Sequence, residues 1–218
     1  MQSSCFIIGG GPGMGLGLAR RFARGGYRVG LITRQQQTIN ELTDALRADG
    51  YGLAGLTANI ADFEGLKAAI DGLTQSLGPP QVLLYNAAGY GSGNGLEQDP
   101  EALMTDLRVS IGGFLLAVQQ VVPAMLGQGS GTILATGGAI AYTPSFEYLS
   151  MGVGKTGLDY VVRSLAPTLA RQGIHAGIVT IRGGVGSSPH FAPDSIAETF
   201  WQLHQEAPFA FTTEITYQ

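Results

Sequence analysis

The chain has 218 residues, a formal net charge of −4, 44% hydrophobic and 13% charged residues, a size that suits one α/β domain (1–218) with a core on both faces of a sheet. The acidic balance leaves no basic footprint for nucleic acid, and no apolar run approaches the roughly 18 residues of a membrane span. The one cysteine, Cys5, excludes an internal disulfide, and with a start that reads as a strand rather than a charged and apolar leader the expectation is a cytosolic protein.

The first apolar run, Cys5 to Ile8, feeds a knot of glycines that opens into a helical pattern. This is the strand, turn and helix of a dinucleotide-binding βαβ unit. Glycines there permit a tight turn, a close backbone approach to a pyrophosphate and tight helix-to-strand packing, while the helix start faces the phosphates with its free N–H groups. The spacing is G-x-x-x-G-x-G in two registers, Gly9, Gly13, Gly15 or Gly11, Gly15, Gly17. The first is preferred because Met14, Leu18 and Phe22 then continue as one apolar stripe. Tyr27 to Thr33 reads as the second strand, with Arg34 at its end. An acid at that place holds the ribose 2′-hydroxyl of NAD, whereas an arginine pairs with a 2′-phosphate, so the sequence leans to NADP(H).

Gln35 to Asp49 reads as a helix stopped by Gly50, Leu53 to Ile60 as the third strand, and Phe63 to Leu77 as a helix ended by Gly78-Pro79-Pro80. Val82 to Tyr85 is the fourth strand, followed by Asn86-Ala87-Ala88-Gly89 and a glycine-rich loop, expected to be mobile, at the carboxyl ends of the strands where ligands bind. Glu101 to Leu126 reads as the longest unbroken helix, with Leu103, Leu107, Ile111, Leu115, Val118 and Val122 facing inward. Thr132 to Thr136 is the fifth strand and Gly137-Gly138 a break. A second long helix spans Phe146 to Arg171 with Pro167 inside it. Ile174 to Ile181 is the sixth strand, Pro193 to His204 the last helix and Phe209 to Thr216 a seventh strand. The alternation implies a Rossmann-type, doubly wound, mainly parallel sheet with helices on both faces. The three histidines show no metal-ligand pattern.

Over nearly its whole length the chain resembles the short-chain dehydrogenase/reductase family. The resemblance rests on Gly9-x3-Gly13-x-Gly15, on Asn86-Ala87-Ala88-Gly89, on Gly113-Phe114, and on Lys155 with Thr156-Gly157 behind it. It implies strand order 3-2-1-4-5-6-7, bound NADP(H), a small-molecule substrate, and a homodimer or homotetramer packed through its two long helices. The cofactor would lie on Gly9, Gly13, Met14, Gly15, Arg34, Asn59, Ile60, Asn86, Ala87 and Lys155. Asn59 stands where the family's aspartate meets adenine.

The family's tetrad of Asn, Ser, Tyr and Lys falls on Ser110, Gly138, Met151 and Lys155, so only the lysine is kept. In the family the tyrosine is the general acid or base, the lysine holds the nicotinamide ribose, and serine and asparagine orient substrate and water. A thioether has no proton to give, which removes a role worth roughly 10²–10⁴ in rate. The candidates left for the chemistry are Lys155, Ser110 and the hydroxyl of Tyr148. Seven residues of helix separate Tyr148 from Lys155 by about 10 Å, against about 6 Å for four residues, and a packing aromatic is the alternative reading. Three functions follow from the resemblance: an NADP(H)-dependent oxidoreductase on a small carbonyl or alcohol with a nonstandard site, a noncatalytic NADP(H)-binding protein, or a non-redox reaction on the same scaffold.

Overall fold

The computed structural model describes residues 2–208 and 210–218. Seven strands form one sheet in the order 3-2-1-4-5-6-7, and all six neighbouring pairs run parallel. The strands are β1 Ser4–Ile8, β2 Arg28–Thr33, β3 Leu53–Thr57, β4 Pro80–Tyr85, β5 Gly131–Gly138, β6 Ile174–Ile181 and β7 Glu214–Tyr217. The helices are α1 Met14–Arg24, α2 Gln36–Ala48, α3 Phe63–Leu77, α4 Pro100–Leu107, α5 Gly113–Gln128, α6 Leu149–Ala170 and α7 Pro193–His204.

Side chains alternate across β1, so its two faces feed two separate cores. Cys5 and Ile7 join Leu18, Phe22, Leu42, Ile196 and Phe200 beneath α1, α2 and α7. Phe6 and Ile8 join Leu66, Ile70, Phe114, Val121, Leu158 and Val162 beneath α3, α5 and α6. This is the doubly wound arrangement expected from the sequence, with both faces of a parallel sheet covered. Burial of Cys5 raises its thiol pKa well above the ordinary value, which fits a small core hydrophobe.

Five sequence expectations are corrected. The helix from Glu101 to Leu126 is not continuous: a π turn, Arg108–Gly112, separates α4 from α5. A π turn holds more residues than an α turn, so it rotates the helix face that follows. The buried face is therefore Ser110, Phe114, Ala117, Val118, Val121 and Met125, while Leu115, expected inside, is 38% exposed. The fifth strand runs on through Gly137 and Gly138, whose backbone is extended rather than broken. The third strand stops at Thr57, and the seventh begins only at Glu214; Phe209, the expected start of the latter, lies outside the described residues. Finally, the 29 helical residues Pro100–Gln128 are long and apolar enough, by length and composition, to cross a membrane. Their inner face packs into the core described above, as a core helix of a layered α/β fold does.

Candidate functional site

The carboxyl ends of β1, β2, β4 and β5 converge on the glycine turn. Gly9 has φ +91, and a Cβ there would stand 2.4 Å from the Ala87 backbone nitrogen, so no side chain is tolerated. A Cβ on Gly15 would meet Gly10 Cα at 2.8 Å, whereas Cβ atoms on Gly11 and Gly13 would enter open space. The turn thus packs tightly against the segment that follows β4 and leaves an open cradle at the start of α1. That helix has no acidic residue in its first turn, which keeps its positive end unneutralised.

Two side chains hold the turn from behind. Asn86 Nδ2 donates to Gly9 O at 2.8 Å, and Thr33 Oγ1 donates to Gly10 O at 3.1 Å. Asn86 Oδ1 in turn accepts from Thr136 Oγ1 at 2.9 Å. Both polar ends of Asn86 are therefore engaged by protein. Arg34 follows Thr33, is exposed, and forms no ion pair among the described residues. Asn59 is exposed and uses Oδ1 to accept Ala61 N at 3.2 Å. Met14, Ile60 and Ala87 are buried at 7%, 5% and 7% exposure with their side chains in the cores.

Lys155 projects from α6 beneath β5 and donates from Nζ to Thr136 O at 2.6 Å. It is 6% exposed, and burial lowers its pKa to about 8 because desolvation disfavours the charged form. Ser110 sits on the π turn, 1% exposed, where its Oγ accepts Gly89 N at 2.9 Å. Gly138 is extended at φ −161, with nothing within 4 Å of a Cβ placed on it.

Tyr148 is the residue immediately before α6 and is 41% exposed. It lines a cavity of about 430 Å³ with Ser92, Gly93, Asn94, Phe146 and Glu147. Lys155 is not among those lining residues, so Tyr148 and Lys155 do not share one cavity. A second cavity, of about 450 Å³, lies near the amino ends of β2 and β3 around Tyr27, Arg28 and Tyr51, away from the glycine turn. The segment after β6 folds into a compact turn: Gly186 N donates to Phe191 O at 2.8 Å, and the His190 ring stacks on Tyr217 at 4.7 Å. Among the described residues no group of three His, Cys, Asp or Glu side chains could hold a metal ion.

The sequence did not single out Asp106 and Ser150, which lie beside this site. Ser150 Oγ donates to Asp106 Oδ2 at 2.5 Å, and Gly91 N donates to the same oxygen at 2.9 Å. Forty-four residues separate the pair, so no local spacing announces it.

With this geometry in place, the chain belongs to the short-chain dehydrogenase family, whose model, described as short chain dehydrogenase, matches residues 4–191. It is 27% identical over 208 residues to the 3-dehydrosphinganine reductase TSC10B of Arabidopsis thaliana, covering 93% of this chain and 58% of that protein. It is 25% identical to dehydrogenase/reductase SDR family member 4 of Oryctolagus cuniculus, covering 87% of this chain and 70% of the relative. The chain therefore spans little more than half the length of the Arabidopsis relative. Among solved structures, a metagenomic short-chain oxidoreductase in complex with NADP aligns with TM-score 0.89 at 22% identity, over 98% of this chain and 96% of the other. A variant of the actinorhodin polyketide ketoreductase with NADPH aligns with TM-score 0.88 at 22% identity, over 99% and 97%. At that identity the structural likeness establishes the shared fold.

Proposed function

We propose that the protein binds NADP(H) and acts as an oxidoreductase on a small carbonyl or alcohol through a site that lacks the family's usual acid. The open glycine cradle carries this reading, since side chains are excluded at Gly9 and Gly15 while the space in front of Gly11 and Gly13 stays clear. NADP-bound relatives of the same fold support it. The α1 amides from Gly13 to Gly15 would hold the pyrophosphate, Arg34 the 2′-phosphate, the Asn59 amide nitrogen the adenine, and Lys155 the nicotinamide ribose. Bound there, NADPH would supply the hydride.

Lys155 has three N–H donors and spends one on Thr136 O, which leaves donors for a ribose hydroxyl. Met151 in the tyrosine's place offers no proton. Two hydroxyls line the cavity, Ser92 and Tyr148; we assign Tyr148 as the acid, with Ser110 positioning the Gly89 backbone, and the substrate would reach from this cavity toward the ribose held by Lys155. A small substrate would occupy the space among Ser92 to Asn94 and Phe146 to Tyr148. Exposed apolar residues on the two long helices, Leu115, Leu126, Val153 and Tyr160, support a homodimer or homotetramer packed through α5 and α6. A noncatalytic NADP(H)-binding protein is the second reading, and the empty space over Gly138 together with Met151 favours it.

Titration of nicotinamide fluorescence tests the cofactor, and NADPH oxidation against a panel of aldehydes and ketones tests the chemistry. The expected result is tighter binding of NADPH than of NADH, with slow turnover. Equal affinity, or no binding of either, overturns the cofactor assignment; tight NADPH binding without turnover selects the noncatalytic reading.

A further inference from the structure

The glycine-rich segment after β4 is fastened at alternate residues by three different elements. Gly89 N donates to Ser110 Oγ on the π turn, Gly91 N to Asp106 Oδ2 on α4, and Gly93 N to the Glu147 carbonyl just before α6, each at 2.9 Å. The middle fastening has a second arm, because the oxygen that accepts Gly91 N also accepts Ser150 Oγ from the first turn of α6. One carboxylate oxygen thus joins the loop, α4 and α6. Ser150 has no exposed surface, so its hydroxyl serves this contact and not a ligand.

The fit is close on every side. A Cβ on Gly89 would stand 2.3 Å from Asp106 Cβ, and one on Gly91 would stand 2.6 Å from both Asp106 Oδ2 and Ser150 Oγ. The residues that follow, Ser92, Gly93 and Asn94, form one wall of the cavity, and Phe146 to Tyr148, just before Ser150, form the other. The expectation of a mobile loop gives way to a segment held at three points.

We propose that Asp106 is a positioning residue that locks the Gly89–Gly95 segment to the start of α6 and so fixes the width of the cavity between them. Its role in a reaction rests on the proposed function, because the cavity is read there as the substrate site. Its role in holding the segment does not.

Amide hydrogen exchange on the full chain without cofactor separates the two. In Asp106→Ala, the amides from Gly89 to Gly95 exchange at least tenfold faster, while those of β1 and β4 keep their protection. Asp106→Asn stays within threefold of the native protein, because its amide oxygen can take the Oδ2 position and accept from both donors. Unchanged exchange over Gly89 to Gly95 in Asp106→Ala overturns the proposal, as does an Asn variant that exchanges as fast as the Ala variant. If Asp106→Ala loses protection in β1 and β4 as well, Ser150→Ala decides: severalfold faster exchange at Gly91 supports the lock, and none overturns it. In the kinetic arm, Asp106→Ala raises KM for a carbonyl substrate with kcat and NADPH affinity little changed. Failure of the native protein to bind NADPH counts against the proposed function and leaves the exchange result standing.

Discussion

The two halves of the sheet's carboxyl edge, the proposed nucleotide half and the proposed substrate half, use their polar groups differently. At the nucleotide half, Asn86 and Thr33 support the glycine turn from behind, and Arg34 is exposed. At the proposed substrate half, the positions to which the resemblance assigns serine and tyrosine hold Gly138 and Met151, and two nearby hydroxyls are spent on protein, Ser110 on Gly89 and Ser150 on Asp106. Binding and chemistry make separate demands on a scaffold. A fold can keep the geometry that holds a dinucleotide while the groups that move a proton change, because the two sets lie on different loops.

The sharpest test of this contrast restores the missing groups. Gly138→Ser fits without rearrangement, since the backbone is extended and the space beside it is open. Combined with Met151→Tyr it returns a hydroxyl four residues before Lys155, and kcat/KM for carbonyl reduction is expected to rise by roughly 10²–10⁴. No gain with NADPH bound shows that the substrate half has been rebuilt beyond the two positions. Ser110→Asn is not part of this design: Ser110 is buried, and a Cβ on neighbouring Gly154 would already stand 2.7 Å from its Oγ.

The complementary break is made at the nucleotide half. Gly9→Ala places a side chain at φ +91 and against the Ala87 backbone, and the combined strain and overpacking are expected to cost about 2–5 kcal/mol. Urea unfolding measures the loss, and NADPH binding should vanish in the fraction that remains folded. A variant of native stability that still binds NADPH would remove the steric basis of the cradle.

These two variants mark what the sequence made legible. Gly9 is legible because a tight turn with close backbone approach between an apolar strand and a helix calls for glycine, and the parallel sheet because each strand is a short apolar run with turn residues at its ends. The π turn was invisible for the opposite reason. Val109, Ile111, Leu115 and Leu116 place apolar side chains in both possible phases of the helix, so periodicity could not detect a rotation of its face. Gly137 and Gly138 looked like a break because glycine permits turns, yet pairing with Thr180 and Ile181 on β6 keeps them in the sheet. Asp106 and Ser150 meet only through the tertiary fold, and an Asp and a Ser on separate helices carry no local pattern.

Lys155 links the halves, since it stands on the substrate-side helix yet is the group assigned to the ribose. Burial lowers its pKa from 10.5 to about 8, which amounts to a stability penalty of about 3 kcal/mol when the folded protein must hold it charged. The penalty is full below pH 8. It fades as pH rises from 8 to 10.5, where the unfolded chain still binds the proton and the folded one has released it. Lys155→Met removes this dependence at the cost of an unpaired Thr136 carbonyl, whose effect does not vary with pH. The stability difference between the variant and the native protein, followed by urea unfolding from pH 7 to 10.5, should shift by about 3 kcal/mol in favour of the native protein. A difference that stays constant would mean that Lys155 is better solvated than its burial indicates.

The smallest expected effect is the one most specific to the nucleotide half. Arg34 is exposed at the end of β2, beside the Thr33 that braces Gly10, so its guanidinium can approach a 2′-phosphate only through solvent. An exposed pair of this kind gains less than a buried one and is screened by salt. Arg34→Ala should therefore weaken NADPH by about tenfold, or about 1.4 kcal/mol, at low ionic strength, and by less at high salt. NADH, which lacks the 2′-phosphate, should bind the variant and the native protein alike. Equal losses for both nucleotides would make Arg34 a support of the β2 turn rather than a reader of the phosphate, and no loss for either would leave the cofactor preference to another group on that edge.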